Sequence, residues 1–354
     1  MIAGIHLQGY RSYEDASFEF GAGVNIIVGP NASGKTNLLE SVLVVSRGGS
    51  YRVRDSELIR HETPWARIDM QGFDGEKRVV KLQPHPNGVV QKVFEIDEKK
   101  LVRLHPSRQL PVVLFEPDHL QLLTGSPDAR RGFLDDLIEQ LDPEYVSIRK
   151  QYKRTLSQRN NLLKKNPQSV QQQLFVWNVR LSQLGGRIAR SRRELLDNVN
   201  ISIGDIYTTI ADKLHDIRLE YVSKFKPETY ESSLFRALES NTETEVMRGY
   251  TLYGPHREDF TVMLNDSPAE HTASRGEIRT LLLALKVLEL RILEDARGQK
   301  PLLLLDDVFS ELDGKRRQAL TGFVRDYQTF ITTTDADLVV QHFTDKARII
   351  PVTS

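Results

Sequence analysis

Between an apolar run, Val24 to Val28, and a segment of helical character from about Asn37 lies Gly29-Pro30-Asn31-Ala32-Ser33-Gly34-Lys35-Thr36. This order of glycine, four residues, glycine, lysine and threonine constrains the chain more than any other feature. Glycines let a loop close around phosphates, while its backbone N–H groups and the following helix N-terminus favour anions. Residues Gly29, Pro30, Asn31, Ala32, Ser33 and Gly34 are therefore expected to wrap a nucleotide's phosphates. Lys35 should reach the β- and γ-phosphates, and the Thr36 hydroxyl should bind Mg²⁺. Strand, phosphate loop and helix in this order imply an α/β fold on a mainly parallel sheet.

The natural partner of that loop is Leu302-Leu303-Leu304-Leu305-Asp306-Asp307. An apolar strand ending in carboxylates places acid at the sheet's C-terminal edge, beside the phosphate loop. Asp306 is expected to hold Mg²⁺, and Asp307 to orient or deprotonate the attacking water. A strand followed by an acidic turn is common by itself; its pairing with the loop gives it meaning.

The two motifs are separated by 270 residues. So long an insertion resembles the ABC-type ATPases of DNA repair and chromosome maintenance. That class carries a signature before the acidic strand, and Ser274-Arg275-Gly276-Glu277 opens a helical segment 32 residues before Asp306. A serine hydroxyl, a glycine backbone and a helix N-terminus make a second anion site. One phosphate loop with two anion-binding helix starts suggests a composite site. In it Ser274, Gly276 and Glu277 of one copy meet the γ-phosphate held by another. The plainer reading is a capping box of Ser274 with Glu277, and both can hold together. Ser310-Glu311-Leu312-Asp313 resembles the class's D-loop. Asp307 stands where the class has Glu, and the strand end Thr332-Thr333-Thr334-Asp335 has no switch histidine. No Gln ends the strand Val112 to Phe115; Gln121 lies six residues further on.

The formal net charge is zero, yet Ser147 to Arg193 holds twelve Lys or Arg and no Asp or Glu. At the chain's mean acidic frequency that stretch would hold about six acids. A basic segment on an otherwise acidic chain suits a polyanion. Its apolar positions, Tyr145, Ile148, Tyr152, Leu156 and then Trp177, Leu181, Leu184, Ile188, Leu195, have helical spacing. They predict two antiparallel helices forming a projecting arm, with a turn at Asn166-Pro167; an ordinary packed helical subdomain is the alternative. Lys150, Lys153 and Arg154 on one helix, and Arg187, Arg190 and Arg193 on the other, are the candidate DNA contacts. No apolar run approaches the ~20 residues of a membrane span. The absence of cysteine and of a signal-peptide pattern suits a cytoplasmic protein.

Longer blocks narrow the resemblance. Gly9-Tyr10-Arg11-Ser12-Tyr13, Lys35 to Glu40, Ser50-Tyr51-Arg52, Glu57 to Arg60, Phe115-Glu116-Pro117-Asp118, Arg130 to Asp135, Gln158-Arg159-Asn160 and Gly254-Pro255-His256-Arg257 occur in order along nearly the whole chain. In them the sequence resembles the RecF family. The resemblance implies an ABC-type ATPase head; the change to helical periodicity from about Pro127 and the return of glycine- and strand-rich sequence around Glu245 set it at residues 1–126 and 245–354, with a helical lobe and arm from 127–244. The resemblance also implies ATP and Mg²⁺ as cofactors, a homodimer driven by ATP, slow DNA-stimulated hydrolysis, and DNA clamped at single-strand/double-strand junctions. RecR and RecO as partners, and help in loading recombinase onto gaps, come only from the resemblance. A transporter-type ATP-binding subunit, a nuclease of the overcoming-lysogenization type and a scaffold with a dead ATP site are the rival readings. The acid-free stretch speaks against the first, the roughly 40 residues after Asp313 against the second, and intact Lys35, Thr36, Asp306 and Asp307 against the third.

Overall fold

The strand expected at Val24 to Val28 forms as β3, and helix α1 starts at Lys35, two residues before the expected position. The structure is a computed structural model. It describes residues 1–85, 89–164, 170–335, 339, 341, 343 and 347–353, with the backbone alone at 120 and 170–172. The turn expected at Asn166-Pro167 lies outside the described residues.

In chain order, β1 (Ile2–Tyr10), β2 (Tyr13–Glu19) and β3 (Val24–Val28) precede α1 (Lys35–Arg47). Then come β4 (Ala66–Gly72), β5 (Lys77–Pro84), β6 (Val90–Ile96), β7 (Lys99–Leu101) and β8 (Val112–Phe115). A helical stretch follows: α2 (Pro127–Leu141), α3 (Pro143–Leu163), α4 (Val170–Asn200) and α5 (Ile203–Ala211). Beyond it are β9 (Ile217–Val222), α6 (Tyr230–Ser240), α7 (Thr242–Arg248), β10 (Asp259–Leu264), β11 (Ser267–Pro268) and α8 (Ala269–Thr272). The chain closes with α9 (Arg275–Arg297), β12 (Leu302–Asp306), α10 (Val308–Glu311), α11 (Gly314–Val324), β13 (Thr329–Thr333) and β14 (Arg348–Pro351).

Two compact units result. The first comprises Met1–Leu120, Thr209–Ala211 and Arg279–Ser354; the second comprises Gln121–Thr208 and Asp212–Ile278. The chain thus returns to the first unit at Arg279, later than the 245 read from composition. The reason is local: β10 pairs antiparallel with β9 along its whole length, so 259–264 completes a sheet of the second unit.

The first unit holds two sheets. One is antiparallel, in the order β2-β1-β4-β5-β6-β7; the other is parallel, in the order β14-β3-β13-β12-β8. Strands of the parallel sheet are apolar along their length because both faces are covered. Ile26, Ile27, Leu304, Phe330 and Ile331 are fully buried. The register sets Ile27, Thr332 and Asp306 abreast at the C-terminal edge. That is where the first turn of α1 begins.

In the second unit α3 and α4 are antiparallel, as Arg187–Glu144 and Arg159–Asn178 contacts require. The pair packs on α2, α6 and β9, which follows the subdomain reading. Arg159 and Glu245 form an ion pair of 2.6 Å with both side chains fully buried. Asn178, Thr251 and Asn160 complete its hydrogen bonds. Removing one member of such a pair costs about 3–5 kcal/mol, so the Gln158-Arg159-Asn160 block is structural cement here.

Candidate nucleotide and signature sites

The phosphate loop leaves no space for side chains at its glycines. A Cβ on Gly29 would lie 2.3 Å from the carbonyl oxygen of Val352. One on Gly34, whose φ is +103°, would lie 2.7 Å from Ser12 Oγ and 2.9 Å from Tyr13 OH. Tyr13 OH also donates to Gly34 O over 3.0 Å, pinning the loop to β2. Pro30, Asn31 and Ala32 span the outer turn, with Ala32 in the left-handed region at φ 64°. Ser33 Oγ is buried without a hydrogen-bond partner. Lys35 Nζ donates to Gly29 O and Pro30 O, each at 2.8 Å. A buried ammonium held only by neutral carbonyls is ready to exchange them for charged oxygens.

Thr36 and the acidic strand meet as read from the sequence. Thr36 Oγ1 donates to Asp306 Oδ1 over 3.0 Å, and Thr332 Oγ1 donates to the same oxygen over 2.7 Å. The other oxygen, Oδ2, accepts from Tyr51 OH at 3.2 Å and faces an Arg52 guanidinium nitrogen at 3.7 Å. Asp307 sits at φ 54°, and its N–H donates to Thr332 Oγ1 over 2.9 Å. Burial pushes the Asp307 carboxyl above its ordinary range; Lys35 pulls it down and Asp306 pushes it up. Lys35, Thr36, Asp306 and Asp307 therefore share one electrostatic neighbourhood. Thr332 fills the strand end that lacks histidine, donating to the Asp306 carboxylate and accepting from the Asp307 backbone N–H.

Sequence reasoning missed three of these groups. Tyr51, Arg52 and Glu116 stand out in the sequence only as members of family blocks, with no role attached to them. Glu116 directly follows β8, the neighbour of β12. Burial pushes its carboxyl up to about 7, with Asp118 and Asp306 raising it further against Arg52 and Lys286. Its backbone N–H donates to His119 Nδ1 over 3.1 Å, and burial beside Lys286 holds that imidazole down at about 2, hence neutral. A carboxylate at a strand's C-terminal end beside the acidic strand was the available signal. Arg11 pairs with the buried Glu40 at 3.0 Å rather than standing free.

The second unit holds the signature. Ser274 Oγ and Ser274 N both donate to Glu277 Oε2 at 2.8 Å, and Glu277 N donates back to Ser274 Oγ at 3.2 Å. This is the capping box, closed at the start of α9, with Gly276 between its partners. Ser274 is exposed there. Asp313 caps α11 by accepting from Arg316 N at 3.1 Å, and Ser310 Oγ donates to Asp307 O at 2.7 Å.

Acids outside the acid-free stretch pair with four of its twelve cations among the described residues, one of them the Arg159 already described. Arg149 pairs with Asp135 and Glu139, Arg192 with Asp135, and Arg187 with Glu144 at 2.6 Å. Arg193 lies over the rings of Tyr221 and Tyr230, at 4.9 and 5.3 Å, and donates to Phe225 O. Arg190 lines a cavity of about 510 Å³ that also presents Glu194, Asp197, Glu228 and Glu231. Of the six candidate DNA contacts, Lys150, Lys153 and Arg154 form an exposed group on one face of α3 with no ion pair among the described residues, and Lys153 lines a cavity that also presents Asp128 and Asp135. His256 ties α3 to the 251 loop: Nδ1 meets Tyr152 OH at 2.7 Å and Nε2 meets Thr251 O at 3.2 Å. No helix of the described residues is long and apolar enough to cross a membrane.

The model of the RecF/RecN/SMC N terminal domain family matches residues 1–353. The DNA replication and repair protein RecF of Limosilactobacillus reuteri is 33% identical over 365 residues, covering 99% of this chain and 97% of its own. That of an Exiguobacterium species is 35% identical over 363 residues, covering 99% and 97%. A solved structure described as the recombination mediator protein RecF-ATPrS in RecFOR pathway superposes with a TM-score of 0.86 at 30% identity, covering 96% of this chain and 94% of that one. An Smc head bound to the C-winged helix domain of ScpA matches at 15% identity, with a TM-score of 0.58 over 100% of this chain and 94% of that one, a likeness of fold alone. Phosphate loop, acidic strand and full-length similarity agree, and the chain belongs to the RecF family of ABC-type ATPases.

Proposed function

We propose that this chain hydrolyses ATP to control its hold on DNA in recombinational repair. Two copies close on one another around ATP and clamp duplex DNA at single-strand/double-strand junctions. The observation that carries this reading is the meeting of Lys35, Thr36, Asp306 and Asp307 at one sheet edge.

The residues fit ATP with Mg²⁺. The glycine cradle admits no Cβ, Ser33 Oγ is an orphaned buried donor, and Thr36 with Asp306 offers hard oxygen ligands. Bound Mg²⁺ would supply charge neutralisation to the phosphates. Lys35 would give up the carbonyls of Gly29 and Pro30 for phosphate oxygens. Asp306, steadied by Thr332, and Thr36 would hold the ion. Asp307 orients the attacking water and accepts its proton, its backbone fixed by Thr332. Ser274 of a second copy donates to the γ-phosphate, which couples hydrolysis to dimerisation, with Gly276 allowing close approach. An Asp for Glu and a Thr for His make turnover slow.

On DNA, Lys150, Lys153 and Arg154 are the leading phosphate contacts. Arg187 and Arg193 rank below them because an acid and two tyrosines already engage them, and Arg190 because it lines a cavity among four carboxylates. The RecFOR pathway named for a solved relative supports RecR and RecO as partners; recombinase loading and the cytoplasm as the place of action rest on the family resemblance. The test is binding to gapped duplex DNA with ATP, with ADP and without nucleotide. Tight binding should require ATP and vanish in Lys35→Ala; equal binding in all three conditions would reject the reading.

A further inference from the structure

Beside the signature stands an imidazole that the reading above does not use. His215 follows α5, and its side chain is 8% exposed. Tyr207 meets its ring edge-on, with centroids 5.6 Å apart. Asn265, in the β10–β11 turn, selects the tautomer of its neutral ring. Asn265 Oδ1 accepts from Asp216 N at 3.0 Å, so the Asn265 amide nitrogen is the group that faces His215 Nδ1 at 2.7 Å. Nδ1 therefore accepts, and in the neutral ring Nε2 carries the hydrogen. That Nε2 is buried and has no hydrogen-bond partner. It points at Glu277 Oε1, 3.8 Å away, beyond the 2.7–3.2 Å span of a hydrogen bond.

Glu277 is the residue that occupies Ser274. A serine hydroxyl has one proton, and Ser274 gives it to Glu277 Oε2. While that bond stands, Ser274 has nothing to donate to a phosphate, and an arriving phosphate meets a carboxylate. Both obstacles disappear if Glu277 moves toward its free neighbour. Glu277 is 27% exposed and able to turn, and its carboxyl is already held down by the Ser274 bonds, then by His215 and Lys213.

We propose that His215 is a positioning residue of the signature: its Nε2–H takes over the Glu277 carboxylate when Ser274 turns its hydroxyl to the γ-phosphate of a nucleotide held by a second copy of this chain. The proposal rests on the composite-site reading. It makes signature engagement an exchange of hydrogen bonds inside one unit.

The test uses the full chain with ATP and Mg²⁺, reading the dimer dissociation constant by sedimentation and the monomer's ATP affinity separately. A hydrogen bond to a charged group is worth about 1.5–3 kcal/mol, so His215→Leu should weaken the dimer about tenfold or more. Monomer affinity for ATP should stay within about twofold, and His215→Gln, which keeps an N–H donor, should recover most of the loss. In a Glu277→Ala background, His215→Leu should change the dimer by less than about twofold, because the pair is already broken. Should His215→Leu melt early, the His215→Gln and Glu277→Ala proteins carry the comparison. The proposal is overturned if His215→Leu dimerises as the parent does, or loses as much in the Glu277→Ala background. Ser274→Arg separates the two levels. If it abolishes dimers while His215→Leu leaves them intact, only the role of His215 falls; if it leaves dimers intact, the composite site falls and takes this proposal with it.

Discussion

The hydroxyl of Thr36 donates to Oδ1 of Asp306 over 3.0 Å, joining residues 270 positions apart. The bond sets the phosphate-loop hydroxyl and the acidic-strand carboxylate that are proposed to hold magnesium against one another. Thr36→Val keeps the shape but loses the oxygen. ATP affinity should fall about tenfold or more with Mg²⁺ present, and far less in EDTA. Equal losses in the two conditions would mean that Thr36 serves the loop's folding alone.

Asp307, the proposed base, can accept a proton only when ionised. Burial raises its carboxyl above the ordinary range, and Lys35 only partly offsets this. Hydrolysis should therefore rise with pH along a limb lying above the ~3.9 of an unperturbed aspartate. Asp307→Asn should cut turnover about 100-fold or more, while ATP-bound dimers persist. Parental turnover in that variant would place the base elsewhere.

Glu116 supplies a stability test. Its folded carboxyl titrates at about 7 because burial, Asp118 and Asp306 disfavour its charge. The unfolded value is ~4.3, so proton binding favours the fold below that value, and the advantage is lost as pH rises through about 7. Glu116→Gln stays neutral throughout. Without magnesium, it should melt near the parent at pH 5 and about 2 °C or more above it at pH 8. A melting difference independent of pH would show that Glu116 is ionised across the range.

The basic stretch divides into two kinds of cation. Replacing Lys150, Lys153 and Arg154 by Ala should weaken binding to all DNA sequences and lower the salt slope by up to about three. Arg193→Ala should instead lower the melting temperature, since its stacking on Tyr221 and Tyr230 is worth about 0.5–2 kcal/mol. A larger fall in salt slope from Arg193 than from the lysine face would invert this assignment.

What could be read from the chain was local. The phosphate loop, β8, β12 and β13 each announce themselves within about ten residues, because a buried parallel strand is apolar throughout and a loop motif is contiguous. What could not be read was pairing at a distance. Nothing between Ser147 and Arg193 shows that Asp135, Glu144 and Glu245 will neutralise Arg149, Arg187, Arg192 and Arg159. The convergence of Tyr51, Arg52 and Thr332 on Asp306 likewise depends on sheet order β3-β13-β12. The return to the first unit was misplaced because strands β9 and β10 have the same alternation wherever their sheet belongs.

The central claim is that ATP brings two copies together through Ser274. Its most direct measurement is molar mass by light scattering with Mg²⁺ and ATP, with ADP, and without nucleotide, repeated with gapped DNA. The parent should double its mass from 40.5 kDa only with ATP, and more completely with DNA, while Ser274→Arg binds ATP and stays at the monomer mass. A parent that remains monomeric with ATP and DNA, or a Ser274→Arg protein that dimerises as the parent does, would contradict it.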